Sequence, residues 1–395
     1  MRLCHVSPHL PPDQAANSLL PAQLGAWGAR AGHEITFVTQ DPAQGRAQAA
    51  PLPGQVRRVS ARRSSSPVIR FLRVDSWMRA RAVTGALNEM ASGRDLVHLH
   101  SNGLIIEVAS AWARGRGLPT VLTLYGTEIW HYRRRWPIDP FTRAYMNATA
   151  VTFYSRRLLD RALSLGLKRP GLSVVYPPVS DSFVMRDANT RAEWRRELGI
   201  KEPFVVLNVK RLHELAGQRY LLEAFARVAR RRDDVRLVIC GTGPLKHDLE
   251  ERTAALGVTT KVTFAGLVAN DVVARYAAVA DVFVLPSLLE ALPTVAVEAL
   301  AAGTPVISAD HPGGLELHEI FGDDVSVVPR QNAEALAERL EDSLAAPRRT
   351  RAVTAGLVRD RFSPDAVQAA YAAIYEAALV GTTGSTVTTG TTGPR

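Results

Sequence analysis

The sequence predicts an α/β protein of two doubly wound domains, and three observations carry that prediction. Length is the first: 395 residues exceed one ordinary core, so each half is long enough to bury its own. The second is a local pattern that occurs three times, in Ala31-Gly32-His33-Glu34-Ile35-Thr36-Phe37-Val38-Thr39, in Gly117-Leu118-Pro119-Thr120-Val121-Leu122-Thr123 and in Gly303-Thr304-Pro305-Val306-Ile307-Ser308. A Gly closes an Ala/Leu-rich helical stretch, Pro in two of them keeps the helix from continuing, and a β-branched run suits a strand buried on both faces. The third is an echo between Asp95-Leu96-Val97-His98-Leu99-His100 and Asp281-Val282-Phe283-Val284-Leu285-Pro286. Each is a short strand entered by an Asp and followed by a loop. Strands alternating with helical segments of about 10 to 15 residues give βαβ units and parallel sheets.

The pattern runs once before about residue 180 and again after about residue 203, which sets the expected boundaries. Residues 1–180 read as an N-terminal Rossmann-like domain and 181–203 as a linker entered by Pro177-Pro178. Residues 204–363 read as the C-terminal Rossmann-like domain, opened by Phe204-Val205-Val206-Leu207. Residues 364–380 form a terminal helix, and the Thr/Gly-rich 381–395 reads as a disordered tail.

Composition excludes several classes. Hydrophobic residues make up 46% and charged residues 22%, as in a globular protein, and no apolar run reaches the roughly 18 to 20 residues that cross a bilayer. The N-terminus is too short an apolar stretch for a signal peptide and reads as a first buried strand. Cys4 and Cys240 are the only cysteines, too few and too scattered for a disulfide framework or metal cluster, so the expected compartment is the cytoplasm. The net charge of +10 is uneven: eight arginines and one acid, Asp75, lie between Arg57 and Arg81, and Arg133-Arg134-Arg135-Trp136 adds a second cluster. These stretches read either as a solvated basic face or as attraction to an anionic partner, such as the inner face of a membrane or a phosphorylated acceptor. No recognition module accompanies them for nucleic acid.

The chemistry concentrates in Pro286-Ser287-Leu288-Leu289-Glu290-Ala291-Leu292-Pro293-Thr294-Val295-Ala296-Val297-Glu298-Ala299-Leu300-Ala301-Ala302-Gly303. A strand ends at Leu285, a loop carries Glu290, and a helix starting near Pro293 places Glu298 about a turn and a half inside an apolar segment. A buried carboxylate has to be paired or hydrogen-bonded. Two vicinal ribose hydroxyls meet that need, and the helix N-terminus offers N–H groups to a diphosphate. The competing reading pairs Glu298 with a core arginine.

Two carboxylates eight residues apart, preceded by Pro-Ser and followed by Gly-Thr-Pro-Val and Pro312-Gly313-Gly314-Leu315-Glu316, resemble the donor-site signature of the family 4 retaining glycosyltransferases. The resemblance continues in order through Val209-Lys210-Arg211-Leu212, Tyr220-Leu221-Leu222-Glu223-Ala224-Phe225, Gly241-Thr242-Gly243-Pro244-Leu245 and Val262-Thr263-Phe264-Ala265-Gly266. It implies the GT-B fold, two doubly wound domains facing across a cleft, and a sugar moved from a nucleotide-diphosphate sugar to a glycan, lipid-linked or small-molecule acceptor. The donor would be a co-substrate, with no further cofactor and no metal. Glu298 would hold the donor ribose. Glu290 would contact the transferred sugar, with the amides of Ala291 and Leu292 nearby. Arg211 would sit on the diphosphate, Lys210 beside it, and Gly241 and Gly243 would let the backbone pass close to the nucleotide.

The sequence departs from the family pattern in three places. Ala216 stands where a Lys usually precedes Gly217, so Lys210, His213 or Arg219 would have to substitute. Ala15-Ala16 replaces the Gly-Gly of the N-terminal phosphate loop, which puts Ala16 near the donor without the conformational freedom of Gly. Tyr125-Gly126-Thr127-Glu128 replaces His-Gly-Thr-Asp/Glu, making Tyr125 the catalytic candidate at the sugar; Tyr donates a hydrogen bond but is a poor proton acceptor at neutral pH.

His98 and His100, two apart on one strand, read as facing opposite sides, His98 as a core residue and His100 as an acceptor-site residue. His5 and His9 are candidates for the cleft, though a structural role suits them better. Trp27 and Trp112 read as core; Trp130, Tyr132 and Trp136 read as an exposed acceptor or membrane contact. The alternatives to a transferase are a catalytically degenerate partner protein and a nucleotide-sugar epimerase on the same fold. No Gly-x-Gly-x-x-Gly opens the first βα turn, which argues against a dehydrogenase.

Overall fold

The computed structural model describes residues 1–11, 16–41, 52–60, 74–134 and 139–381. The chain divides into two compact units, Met1–Pro177 with Val367–Arg395, and Pro178–Ala366. The expected Ala15, the arginines 62, 63, 70, 73 and 135, Trp136 and the tail beyond Gly381 lie outside the described residues.

In the first unit β1 (Arg2–Ser7), β2 (Glu34–Gln40), β3 (Gln55–Val59), β4 (Leu96–His100), β5 (Thr120–Leu124), β6 (Ala150–Phe153) and β7 (Leu172–Val174) form one sheet in the order β3-β2-β1-β4-β5-β6-β7. The second unit orders β8 (Phe204–Val209), β9 (Val235–Cys240), β10 (Val262–Gly266), β11 (Val282–Leu285), β12 (Val306–Ala309) and β13 (Val325–Val328) as β10-β9-β8-β11-β12-β13. Pairings are parallel in both, and the winding reverses between β1 and β4 and between β8 and β11. Ligands of such sheets bind outside the carboxyl ends of the strands at that reversal.

The local signals translate directly into bonds. After each of the three repeated glycines the next residue's N–H returns to a carbonyl five residues back, His33 to Gly28, Leu118 to Ala113 and Thr304 to Ala299, the helix-closing arrangement that Gly permits. The strands that follow are buried along their length apart from Glu34 and Gln40 at the ends of β2, as suits strands covered on both faces.

Two boundaries differ from expectation. The stretch 181–203 is part of the second unit: its helix Ala188–Glu197 is tied down by Arg191 and Arg195, which donate to the carbonyls of Ala278 and Val279 and pair with Asp281. The terminal helix Pro364–Val380 joins the first unit, where Val367, Tyr371, Ile374, Tyr375 and Ala378 share a core with Leu3, Phe37, Val121 and Tyr154. No helix among the described residues is long and apolar enough to cross a membrane.

Candidate functional site

At the reversal in the second unit the β8–β11 ladder pairs Leu207 with Phe283, and beyond it the Asn208 side-chain amide donates to the Val284 carbonyl at 2.8 Å. Past that point the strands give way to two loops. One carries Lys210, Arg211 and His213, the other Ser287, Glu290, Ala291 and Leu292. They meet in an ion pair, Lys210 Nζ to Glu290 Oε1 at 2.5 Å, both side chains about four-fifths shielded. Arg211 is exposed and its guanidinium pairs with no group among the described residues. His213 caps the short turn Glu214–Ala216, Nδ1 accepting from the Leu215 N–H at 3.2 Å; burial, and then the nearby Lys210, hold its pKa below the usual imidazole range.

Glycines at 241 and 243 have a reason that needs no ligand. A Cβ at 241 would stand 2.0 Å from the Lys210 carbonyl oxygen, and one at 243 would stand 2.1 Å from that of Leu212. Both therefore let the β9 loop press against the backbone that presents Lys210 and Arg211. Ala216 is fully buried. Of the residues considered in place of the absent Lys, Lys210 faces Glu290, His213 is a turn cap, and Arg219 lies over the Tyr220 ring and donates to its hydroxyl.

Glu298 sits in the helix Thr294–Ala301 among buried Ala296, Val297, Ala299 and Leu300. Its half-buried carboxylate has no hydrogen bond or ion pair among the described residues, and desolvation pushes its pKa up to about 7. The core-arginine reading therefore has no counterpart in the structure. The N–H groups of Ala291 and Leu292, just before this helix, donate to nothing among the described residues.

The loop is braced by residues that sequence reasoning missed. Gly313 donates its N–H to the Glu290 carbonyl at 3.1 Å. His311 is buried and caps the helix Pro312–Phe321, Nδ1 accepting from the Gly314 N–H at 3.0 Å, which leaves its proton on Nε2. Burial lowers its pKa to about 4. The Ser287 hydroxyl is buried without a partner among the described residues. A His immediately before Pro-Gly-Gly at a helix start was the legible signal for the cap.

In the first unit the structure corrects the reading of His98 and His100. Residues two apart on a strand share a face, and the two rings lie 3.9 Å apart, centre to centre. His5 from β1 joins them, and all three are buried. Their nitrogens come within 4.8 Å of one another, but they are engaged elsewhere. His98 binds the Tyr375 hydroxyl through Nδ1 at 2.8 Å and the Thr123 hydroxyl through Nε2 at 2.7 Å. His5 Nδ1 and His100 Nε2 are 3.0 Å apart, and His100 Nδ1 lies 2.8 Å from the Tyr125 hydroxyl. Only His5 Nε2 lacks a partner among the described residues. Desolvation lowers the His5 pKa to about 3 and holds His98 and His100 well below the usual range. Desolvation likewise holds the phenol of half-buried Tyr125 well above 10.

The other residues of this motif are structural supports. The buried Glu128 carboxylate accepts from the Ser101 hydroxyl at 2.5 Å and from the N–H groups of Tyr125 at 3.2 Å and Gly126 at 2.8 Å. Ser101 follows β4 with φ 72°, a strained conformation for a residue with a Cβ. Ala16 begins the helix Ala16–Arg30. Trp27 and Trp112 are core residues, whereas Trp130 and Tyr132, expected to be exposed, pack half-buried against the core, and Tyr132 binds Thr142 and Asp139.

With this geometry in hand, comparison with known proteins is decisive. A family model described as Glycosyl transferases group 1 matches residues 190–356, and one described as Glycosyltransferase Family 4 matches residues 22–183. The alpha-D-kanosaminyltransferase of Streptomyces kanamyceticus is 32% identical over 297 residues, 69% of this chain and 75% of that one. The chain belongs to this glycosyltransferase family. A GDP-mannose-dependent alpha-(1-6)-phosphatidylinositol monomannoside mannosyltransferase of Mycolicibacterium smegmatis is 32% identical over 246 residues; the match spans 59% of this glycosyltransferase and 63% of the mannosyltransferase's own length. Among solved structures, sucrose-phosphate synthase from Thermosynechococcus elongatus superimposes with a TM-score of 0.76 at 20% identity, covering 97% of this chain and 100% of that one. That likeness gives the fold, GT-B.

Proposed function

We propose that this glycosyltransferase moves a sugar from a nucleotide-diphosphate sugar to a hydroxyl of a glycan, lipid-linked or small-molecule acceptor, with retention of configuration and without a metal ion. Glu298 carries the reading. A desolvated carboxylate with no partner among the described residues, at the carboxyl edge of a doubly wound sheet, is matched by the two vicinal hydroxyls of a ribose. Arg211 and Lys210 meet the diphosphate and offset the charge that develops on it. Glu290 and the amides of Ala291 and Leu292 meet the sugar. In same-face attack the acceptor oxygen bonds to the anomeric carbon, the bond from that carbon to the diphosphate breaks, and the departing diphosphate takes the hydroxyl proton. The mannosyltransferase relative, whose name specifies GDP-mannose and a phosphatidylinositol mannoside, supports a nucleotide-sugar donor and a lipid-linked acceptor.

We place the reaction in the cytoplasm, with peripheral contact at the inner membrane face. The helix Val74–Met90 buries Val83, Ala86, Leu87 and Met90. On its opposite side Val74, Trp77 and Met78 are exposed, with the Arg81 guanidinium 5.8 Å from the Trp77 ring centre. Exposed aromatic and aliphatic groups beside arginine suit an anionic lipid interface.

The test is a ligand-induced thermal shift and donor hydrolysis across UDP-, GDP-, dTDP- and ADP-sugars, with Glu298→Ala in parallel. One donor should raise the melting temperature of the wild type and not of the variant. A folded wild type that responds to no donor sinks the proposal.

A further inference from the structure

We infer that His100 and His5 are positioning residues, which hold the Tyr125 phenol so that its O–H is free to donate to an oxygen of the substrate at the carboxyl edge of the first sheet. The inference rests on the transferase reading and gives Tyr125 a defined role within it.

His5 Nδ1 meets His100 Nε2 at 3.0 Å, and His100 Nδ1 meets the Tyr125 hydroxyl at 2.8 Å. Both rings are buried, and desolvation keeps them neutral, so each carries one proton and each contact has one donor. Only two arrangements satisfy both contacts. In the first, Tyr125 donates inward to His100 Nδ1, His100 donates through Nε2 to His5 Nδ1, and His5 is left with its N–H on Nε2. That atom is buried without an acceptor among the described residues, in a ring stacked 5.5 Å from that of Phe37. In the second, His5 donates through Nδ1 to His100 Nε2, and His100 donates through Nδ1 to the Tyr125 oxygen. Two groups are then unmatched among the described residues: a lone pair on His5 Nε2, and the O–H of half-buried Tyr125, which is left to donate outward.

Buried N–H groups without an acceptor are rarer in proteins than under-satisfied acceptors, so the second arrangement is the favoured one. It makes Tyr125 accept from within and donate outward. His98 stays out of the chain, because Tyr375 and Thr123 occupy both of its nitrogens. Glu128 fixes the backbone on which the phenol turns, by accepting from the Tyr125 and Gly126 N–H groups. The phenol thus serves as a hydrogen-bond donor and not as a base, consistent with a hydroxyl whose burial opposes ionisation.

Two measurements on the full chain test this. Long-range ¹H–¹⁵N spectra of the imidazoles should show His5 and His100 both protonated at Nδ1. Protonation of His100 at Nε2 would overturn the inference whether or not the chain turns over. In kinetics with a donor that binds, Tyr125→Phe and His100→Leu should each lower kcat about tenfold to a hundredfold, with the double variant no worse than either. His100→Asn, whose amide can still donate to Tyr125, should recover most of the loss. The donor KM and the donor-induced thermal shift should persist in all of them. An unchanged kcat in His100→Leu, or losses that multiply in the double variant, would also overturn it. A wild type that binds no donor is a failure of the transferase reading, and the imidazole spectra then still decide the direction of the hydrogen bonds.

Discussion

In both units an Asp at the start of the strand beyond the reversal accepts the first strand's main-chain N–H and pairs with an arginine. Asp95 accepts from the Arg2 N–H at 2.7 Å and pairs with the Arg2 side chain. Asp281 accepts from the Val205 N–H at 2.8 Å and pairs with Arg195. Beyond that shared device the carboxyl edges diverge. The first unit fills its reversal with neutral histidine, tyrosine and threonine groups that satisfy one another. The second leaves ionic groups short of partners among the described residues, Arg211 and Glu298 above all. Topology fixes where a ligand can bind, and the loop residues decide whether that place is finished by the protein or by something that binds to it.

The contrast is broken most sharply at Glu298. If Glu298 holds the donor ribose as proposed, replacing it with Ala removes two charge-assisted hydrogen bonds, and donor affinity should fall on the order of 10²- to 10³-fold, measured by titration. Stability should move the other way. The folded-state pKa of about 7 lies above the unfolded value near 4.3, so the folded chain binds the extra proton and loses stability as pH rises through that interval. Without donor, Glu298→Gln should therefore melt like the wild type at about pH 4 and above it at pH 8. The difference should be on the order of 3–4 kcal/mol. Equal pH profiles for the two would mean the carboxylate is stabilised in the folded chain after all.

Arg211 should show the same separation of activity from stability. Its guanidinium is exposed and unpaired among the described residues, so Arg211→Ala should leave the melting temperature unchanged while kcat/KM falls about 10²-fold. In the first unit the outcome reverses. His98→Phe strands the Tyr375 hydroxyl and takes one partner from the Thr123 hydroxyl, which keeps Thr152 and Tyr371, costing about 2 kcal/mol of stability, visible as a lower melting temperature with the donor KM intact. Because Tyr375 lies on the terminal helix, hydrogen exchange should increase there first.

Much of this was legible in the sequence. The helix-closing glycines mark the sheets because each is tied to a local bond, the two Asp-led strands are legible as a repeated pattern, and the Glu290/Glu298 spacing marks the loop and helix that present them. What escaped needed contacts distant in sequence. The terminal helix looked detached, since nothing local says that Tyr371 and Tyr375 end on Thr123, Thr152 and His98, more than 200 residues away. Trp130 and Tyr132 looked exposed beside an arginine run, yet the core of the first unit claims them. The His98/His100 error was of another kind, a strand period misapplied, and alternation by two would have placed both rings on one face from the start.

The smallest effect belongs to Arg219, and it asks whether the chain replaces the Lys that its family places before Gly217. Ala216 is fully buried there, and a substitute cation would have to reach the diphosphate from a neighbouring position. Lys210 stands at the carboxyl end of β8 and faces Glu290. Arg219 is the second residue of the next helix, Gln218–Ala229, its guanidinium laid over Tyr220 and bonded to that residue's hydroxyl. A side chain already engaged on the surface has little to lose and no geometry to lend. Arg219→Ala should keep kcat/KM within about twofold of the wild type and leave the melting temperature unchanged, as exposed ion and stacking contacts generally do. Lys210→Ala should instead lose both donor affinity and stability, because it also strands Glu290. A tenfold loss in Arg219→Ala with Lys210→Ala near normal would move the missing cation from the strand end to the helix.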